Sequence, residues 1–402
     1  MSEEQSIKTV ALAKCDDYGR VEVCKAVARA IGQLGGIGVF VAPGQKVLVK
    51  FNLLNGSAPE KCVTTHPEVV YAVAKILKEH GCAVVLGDSP GSGSLYTEAS
   101  LRKAYAASGY AKVAEELGVT LNYDTSHQEI SAPASQTMKR FPIITPALDA
   151  DAIVVVSKAK THSLTYLSGA AKNLFGVIPG LEKPAYHAKL PAPADFSRMI
   201  VDLNQLVKPK LQIMDAIIGM EGDGPMGGTP RKIGAVLASG DYSAIDVATC
   251  RLMSIDPLKV GTIKTAVERG CLKADFSDVS VIGDDLENLI VRDYKAPATY
   301  AGTGIASSNK RDARSRIMLG VASRLANELS QRPIIHLGKC TSCLKCVRSC
   351  PVKTIAVVDK KPRISYDKCI KCYCCHEMCD SHAISLERTL TGKVMAKIVT
   401  RQ

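Results

Sequence analysis

Apolar and polar positions follow two rhythms along this chain. Between Val10 and about Gly240, short runs of Val, Ile, Leu and Ala recur, separated by stretches in which apolar residues return with a helical period. The runs are Lys46–Leu54, Cys82–Ser89, Gly118–Asp124, Ala152–Lys160, Lys210–Ile218 and Lys232–Asp241. Their near-continuous apolarity predicts strands covered on both faces. Between the first two, HPEVVYAVAKILKEHG reads as an amphipathic helix, entered through threonines and ended by Gly81. The expected fold class is therefore an α/β body with a mostly parallel or mixed sheet.

The rhythm breaks near residue 296. Ala296–Arg332 reads as a connector, loop-like at first and then a basic amphipathic helix, and a small separate unit follows Pro333. The expected organisation is a body over 1–295, a connector over 296–332 and a small α+β unit over 333–402. That unit repeats itself: Cys340, Cys343, Cys346 and Cys350 recur 29 positions later as Cys369, Cys372, Cys375 and Cys379. A fixed offset of this kind marks a duplicated structural unit. Between the repeats, TIAVVDKKPRISYD reads as a hairpin turning around Lys360-Lys361-Pro362.

Both runs have the spacing C-x2-C-x2-C-x3-C, and this changes the picture from fold to chemistry. Three thiolates on a tight turn cover three corners of an iron–sulfur cubane, and a remote cysteine from the other run completes it. The expected ligands are Cys340, Cys343, Cys346 and Cys379 for one [4Fe–4S] cluster, and Cys369, Cys372, Cys375 and Cys350 for the other. Zinc sites use paired knuckles separated by a long gap, which is not this pattern. Pro351 closes the first run, whereas Asp380 stands in the corresponding place of the second. Cys374 falls outside the register and is expected to be a bystander. The other six cysteines lie far apart and are expected to act as small buried apolar residues. The tail resembles a two-cluster bacterial ferredoxin over nearly its whole length.

The chain has 402 residues and a net charge of +12, and the charge is uneven. Residues 309–402 carry 19 Lys and Arg against 7 Asp and Glu, so residues 1–308 balance at zero. A basic tail invites a nucleic-acid reading. The basic residues are interleaved with the cysteines, however, and aromatic residues for base stacking are few, so their expected role is to offset cluster charge, with no nucleic-acid partner. No stretch is apolar enough for a membrane span and the N-terminus lacks a secretory pattern, so the expected location is the cytoplasm.

In the body, polar residues gather where strands end, which is where open α/β sheets place their ligands. GDSPGSGS follows the run at Cys82 but is not a dinucleotide fingerprint. SKAKTHSLTYLSGAAKNLFG brings together Lys158, Lys160, His162, Lys172 and Asn173, an expected cleft for a carboxylate or phosphate. Converging lysines would lower the His162 pKa and keep it neutral, with Asp88 as a proton-transfer partner or a turn cap. His162, Lys160 and Asp88 are the expected catalytic groups, and Lys158, Lys172 and Asn173 are expected to bind substrate. The acidic glycine-rich loop Glu221–Gly228 and the segment with Asp241 and Asp246 are further polar strand ends.

The blocks KFNLL, TTHPEVV, GDSPG, KAKTHSLTYLSGAAKNLFG, DAIIGMEGDGPMGG and SGDYSAIDVA resemble the successive blocks of domain of unknown function family 362, which is often fused to a C-terminal two-cluster ferredoxin. The family's usual first block has Lys-Pro-Asn where this chain has Lys50-Phe51-Asn52, and the resemblance adds Lys50 and Asn52 to the expected binding groups. It implies an iron–sulfur protein but no particular reaction. The leading expectation is an oxidoreductase that passes electrons through two [4Fe–4S] clusters to or from a small anion, served by an external ferredoxin- or flavodoxin-type partner. The alternatives are an electron carrier that only docks proteins, and a non-redox enzyme acting on a carboxylate.

Overall fold

The computed structural model describes residues 7–91, 96–180, 182–190, 192–298, 300 and 332–387. The basic helix expected in the connector lies outside them. The body's strands are β1 (Lys8–Lys14), β2 (Lys46–Phe51), β3 (Ala83–Gly87), β4 (Thr120–Leu121), β5 (His127–Ser131), β6 (Arg140–Ile144), β7 (Ala152–His162), β8 (Tyr166–Leu167), β9 (Leu211–Glu221), β10 (Thr229–Ser239) and β11 (Val279–Gly283). Nine of them form one sheet in the order β11-β1-β10-β9-β7-β2-β3-β4, with β8 paired to β7 off that path. The pairs β1–β11, β9–β7, β7–β2, β2–β3 and β3–β4 are parallel, and β1–β10 and β10–β9 are antiparallel. The sheet is mixed and mostly parallel, as the apolar runs imply.

Both faces are covered. Alternate residues of β1 and β10 enter two different apolar clusters: Ala11, Ala13, Val236 and Ala238 on one side, Val10, Leu12, Ala235 and Leu237 on the other. Helices Arg20–Gln33 and Pro67–Glu79 close the first cluster, and Tyr242–Leu252 and Gly261–Glu268 close the second. The helix expected after the threonines starts at Pro67, capped by the His66 ring, which accepts the Glu68 N–H at 3.3 Å.

The pattern of apolar runs misses some strands and overstates another. Only Thr120–Leu121 of the run Gly118–Asp124 is strand. β11, at the edge of the sheet, is short and mostly half-exposed, and β1 beside it is half-exposed at Lys8 and Thr9 and exposed at Lys14, so both lack the unbroken apolarity that marks the central strands. β7 extends to His162, and all of its residues are buried. β9 and β10 are irregular at Lys232/Ala235, where Gly234 takes a φ of +84°.

The C-terminal unit contains β12 (Arg332–Ile335), β13 (Ile355–Val358), β14 (Lys361–Ile364) and β15 (Ile384–Glu387); β12 pairs with β15 and β13 with β14, both antiparallel. The 29-residue offset is repeated in the backbone. Ser342 and Leu344 (φ 57° each) correspond to Lys371 and Tyr373 (52° and 60°), and Lys353 (50°) to His382 (49°). The hairpin turns at Asp359 and Lys360, with φ of 50° and 59°, one step before the expected Lys-Lys-Pro turn. Lys361 and Pro362 already belong to β14. The unit is the α+β ferredoxin-like domain that its spacing implies.

Candidate functional site

Register decides where the strand-end lysines go. Lys50 on β2 pairs with Val155 on β7, and Lys158 pairs with Asp215 on β9. Side chains alternate along a strand, so Lys50 shares its face with Val155 and Ser157, while Lys158 and Lys160 share the other. Lys158 is therefore drawn away from the expected cleft. Its ammonium donates to Asp215 Oδ2 at 2.9 Å and to the Tyr18 hydroxyl at 2.6 Å, closing a buried ion pair beneath the stacked rings of Tyr18 and His66.

Five of the other expected residues meet in one chain of hydrogen bonds and an ion pair. Lys160 Nζ donates to Asn52 Oδ1 at 2.8 Å and to the Val63 carbonyl at 2.5 Å. Asn52 Nδ2 donates to Asn173 Oδ1 at 3.1 Å, and Lys50 Nζ donates to the same oxygen at 2.8 Å. Lys50 also pairs with Asp88 Oδ1 at 2.7 Å, the two side chains being 0% and 3% exposed. An isolated charge at that depth would be very costly, so the pair is obligatory. Asp88 further accepts the N–H groups of Leu53 and Ser89, both at 2.9 Å. It thus combines the turn-capping role with an ion pair, and spends its oxygens on these partners.

Local sequence explains how the pieces reach each other. Asp246 accepts the N–H groups of Ala170 (2.6 Å) and Ala171 (3.1 Å), which fixes the short helix Gly169–Asn173 that carries Lys172 and Asn173. Burial pushes the Asp246 carboxyl up to about 7, and those amides oppose the rise. Gly176 is required by close approach, because a Cβ there would overlap Asp88 Oδ1 and Lys50 Nζ.

A pocket of about 60 Å³ opens on this network. Lys50, Asn52, Asp88, Lys172 and Asn173 line it, joined by Lys183 and His187, which the sequence pattern did not single out. Their signal is the i, i+4 spacing on the helix Lys183–Lys189, which puts both on one face. Lys183 donates to the carbonyls of Ser89 (3.0 Å) and Pro90 (2.7 Å) and to Ser89 Oγ (3.1 Å). Burial lowers its pKa to about 7, with Asp88 acting in the opposite direction. Burial, and then Lys172, pushes His187 down to about 3, so it lines the pocket as a neutral imidazole. The pocket has room for one carboxylate- or phosphate-sized group. Lys172 and Lys183 thus join the Lys50–Asp88 pair in the lining.

His162 lies at the end of β7, where its Nδ1 accepts the N–H groups of Leu164 (3.0 Å) and Thr165 (3.4 Å). Its pKa is held well below the ordinary 6.5, as expected from sequence, but burial is the leading cause and Lys172 and Lys160 follow it. Neutral and tied into the turn, His162 anchors the loop that leads to Lys172.

In the C-terminal unit the cysteines stand around two cavities. One is lined by Cys340, Cys343, Cys346 and Cys379, the other by Cys350, Cys369, Cys372 and Cys375. Each takes three close cysteines from one run and the last cysteine of the other, which is the donor set a crossed pair of cubanes needs. Ile335, Leu344, Met378 and Ile384 wall the first, and Val352, Ile355, Ile364 and Tyr373 the second. Cys374 lines neither. The Ala383 N–H points at Cys379 Sγ (3.2 Å) and the Thr354 N–H at Cys350 Sγ (3.3 Å), the same contact at the same offset in each repeat. Among the described residues no three His, Cys, Asp or Glu side chains close on a single point as one ion would require. The residues fit clusters.

The two units meet across a cleft of about 890 Å³. Asp380, the residue that departs from the Pro pattern, links them: it accepts Asn55 Nδ2 of the body at 3.0 Å and pairs with Lys345 of its own unit. Leu54 and Gly91 line the small pocket while their neighbours Asn55 and Pro90 line the cleft, so the two spaces adjoin.

Residues 47–251 match the model of a domain of unknown function, DUF362, and residues 332–380 match that of a 4Fe-4S dicluster domain. The chain belongs to the DUF362 family. The C-terminal match makes it an iron–sulfur protein. The "Thylakoid-associated protein sll1697" of Synechocystis is 32% identical to it over 292 residues, spanning 72% of this chain and 88% of that protein. Among solved structures, the lactate racemase apoprotein of Thermoanaerobacterium thermosaccharolyticum aligns with 12% identity and a TM-score of 0.38, over 63% of this chain and 58% of that one. Among the described residues of this DUF362 protein, no helix is long and apolar enough to cross a membrane.

Proposed function

We propose that this protein is an iron–sulfur oxidoreductase in which two [4Fe–4S] clusters exchange electrons with a small anion held at the strand ends of the body. Cys340, Cys343, Cys346 and Cys379 hold one cluster, and Cys369, Cys372, Cys375 and Cys350 the other. When bound, the clusters supply single electrons at low potential. The body's residues hold and orient the anion: Lys172 attracts it, Lys183 fixes the Ser89–Pro90 loop beside it, the Lys50–Asp88 pair and Asn52–Asn173 fix the wall behind it, and His187 offers a neutral hydrogen-bonding ring. The observation that carries this reading is the pocket lined by Lys50, Lys172 and Lys183, adjoining the cleft whose far wall bears Lys345 and Arg348, beside Cys343 and Cys346. Electrons come from a ferredoxin- or flavodoxin-type carrier that docks on the basic C-terminal unit, whose residues 332–387 hold ten Lys and Arg against five Asp and Glu.

The test is reoxidation. Anaerobically purified protein, reduced with dithionite and freed of excess reductant, is mixed with fractions of the small anions of its host. One fraction should reoxidise the clusters in the native protein, and Lys172→Ala should lose that reaction while keeping its iron and its reduction by dithionite. If no small-molecule fraction reoxidises the clusters and a protein carrier does, the chain is an electron carrier.

A further inference from the structure

The cleft between the two units has a charge distribution that their docking alone does not explain. Its body wall is built from the helix Glu98–Ala107, which presents Ser100, Lys103, Ala104 and Ala107 on one face, and from the loop that carries Lys61. That loop lies directly on the helix because Gly56, at φ +70°, has no Cβ to collide with Ala104. The opposite wall is the turn of helix Lys345–Ser349, from which Lys345 and Arg348 face the cleft. Arg348 is held in place by a 3.2 Å hydrogen bond to the Cys343 carbonyl. Four cations thus look across the gap at only two acids, Glu60 and Asp380, and Asp380 is spent on Lys345 and Asn55. Among the described residues neither Lys61 nor Lys103 has an ion-pair partner, although both units contribute cations to the same space. Like charges facing across a partly enclosed gap repel, and a negatively charged occupant would turn that repulsion into a bridge.

We propose that this cleft binds a multiply charged small anion, a di- or polyphosphate or a polycarboxylate, gripped by Lys61 and Lys103 from the body and Arg348 from the ferredoxin unit. Val63, Met226 and Pro230 give the cleft an apolar stretch against which the rest of such a molecule packs. Its volume, about 890 Å³, is in the range of small-molecule and cofactor sites and far exceeds that of the adjoining pocket. Lys345 lines both the cleft and the cavity of Cys340, Cys343, Cys346 and Cys379. An anion in the cleft therefore lies beside the electron that enters a cluster there. It disfavours reduction of that cluster, and by reciprocity reduction loosens the anion. This site is separate from the strand-end pocket and does not depend on turnover there.

The experiment uses anaerobic, cluster-loaded full-length protein titrated calorimetrically with inorganic pyrophosphate and, separately, with citrate. At least one should bind saturably, and which one binds tells phosphate-bearing from carboxylate-bearing ligands. Lys103→Ala and Arg348→Ala should each weaken that binding about five-fold or more, as expected for loss of one charge-assisted contact. Lys103→Arg should restore it, and Lys112→Ala, on the outer surface of the body, should leave it unchanged. Saturating probe should move one cluster's midpoint potential in the negative direction in the native protein and less in Arg348→Ala. Three results would each overturn the proposal: no saturable binding of either probe, equal loss in Lys112→Ala, or binding that leaves both potentials where they were.

Discussion

The body and the C-terminal unit solve the same problem, holding buried polar groups, in opposite ways. In the body, ammonium and carboxylate groups at strand ends satisfy one another: Lys50 with Asp88, Lys158 with Asp215. They sit in a fold already secured by apolar clusters on both faces of the sheet. In the C-terminal unit the apolar cluster is small, formed by Cys346, Cys350, Ile355, Cys375 and Ile384, so three of its five buried members are themselves expected ligands. A core this small supplies little stability, and small domains of this kind commonly add covalent or metal staples. The body's charges thus rest on an apolar core of their own, whereas in the tail the expected ligands are themselves much of the core.

The largest effect should come from removing iron. Stripping the full chain anaerobically with a chelator should abolish amide-exchange protection in β12 to β15 while β7 and β9 keep theirs. Tail amides that stay protected without iron would erase the distinction between the two regions. A smaller effect should follow from breaking one body pair. Lys50→Met leaves the Asp88 carboxylate buried and uncompensated, which should cost about 3 to 5 kcal/mol in urea unfolding. Lys75→Ala, which breaks the exposed Lys75–Glu79 pair, should change nothing measurable.

A gentler probe is pH. Burial leads in depressing His66 to about 4 and His187 to about 3, against an ordinary value of 6.5. Below pH 6.5 the unfolded chain takes up these protons and the folded body does not. The stability they contribute is therefore complete above pH 6.5 and is lost as pH falls toward 4. The urea midpoint of the body's transition should drop between pH 7 and pH 5, and His187→Phe, which keeps the stack on Phe196, should shrink that drop. Asp246, raised to about 7, acts in the opposite direction over this interval, so the contrast with the variant is decisive: a drop that His187→Phe leaves unchanged would show that this ring is charged in the folded protein. The smallest effect belongs to Cys374→Ser. It should keep all of its iron, whereas Cys350→Ser should lose about four per chain, from the site walled by the later run.

How much of this was legible in the sequence differs between the regions for a physical reason. Cluster ligands must sit at fixed spacing on tight turns, so the gathering of eight cysteines around two cavities in crossed sets could be anticipated from residue intervals. The body's strands were visible because β2, β3, β7, β9 and β10 are buried on both faces. β11 was not, because an edge strand carries a weaker pattern, and β1, though paired on both sides, buries only its four central residues. The pocket was only half legible. Lys50, Asn52, Asp88, Lys172 and Asn173 gather there, but the spacing that put Lys158 and Lys160 on one face could not reveal that Asp215 pairs with the first and Asn52 with the second. That depends on the β7–β9 and β2–β7 registers, which are long-range. Lys183 and His187 were hidden in a helix whose neighbours are known only once it folds back on the loop after β3.

The most direct measurement is the iron and acid-labile sulfide content of the full chain purified without oxygen, with its electron paramagnetic resonance spectrum after dithionite reduction. Two crossed cubanes predict about eight iron and eight sulfide per chain and the signals of reduced [4Fe–4S] centres. Stoichiometric zinc with negligible sulfide, and no signal on reduction, would contradict the account.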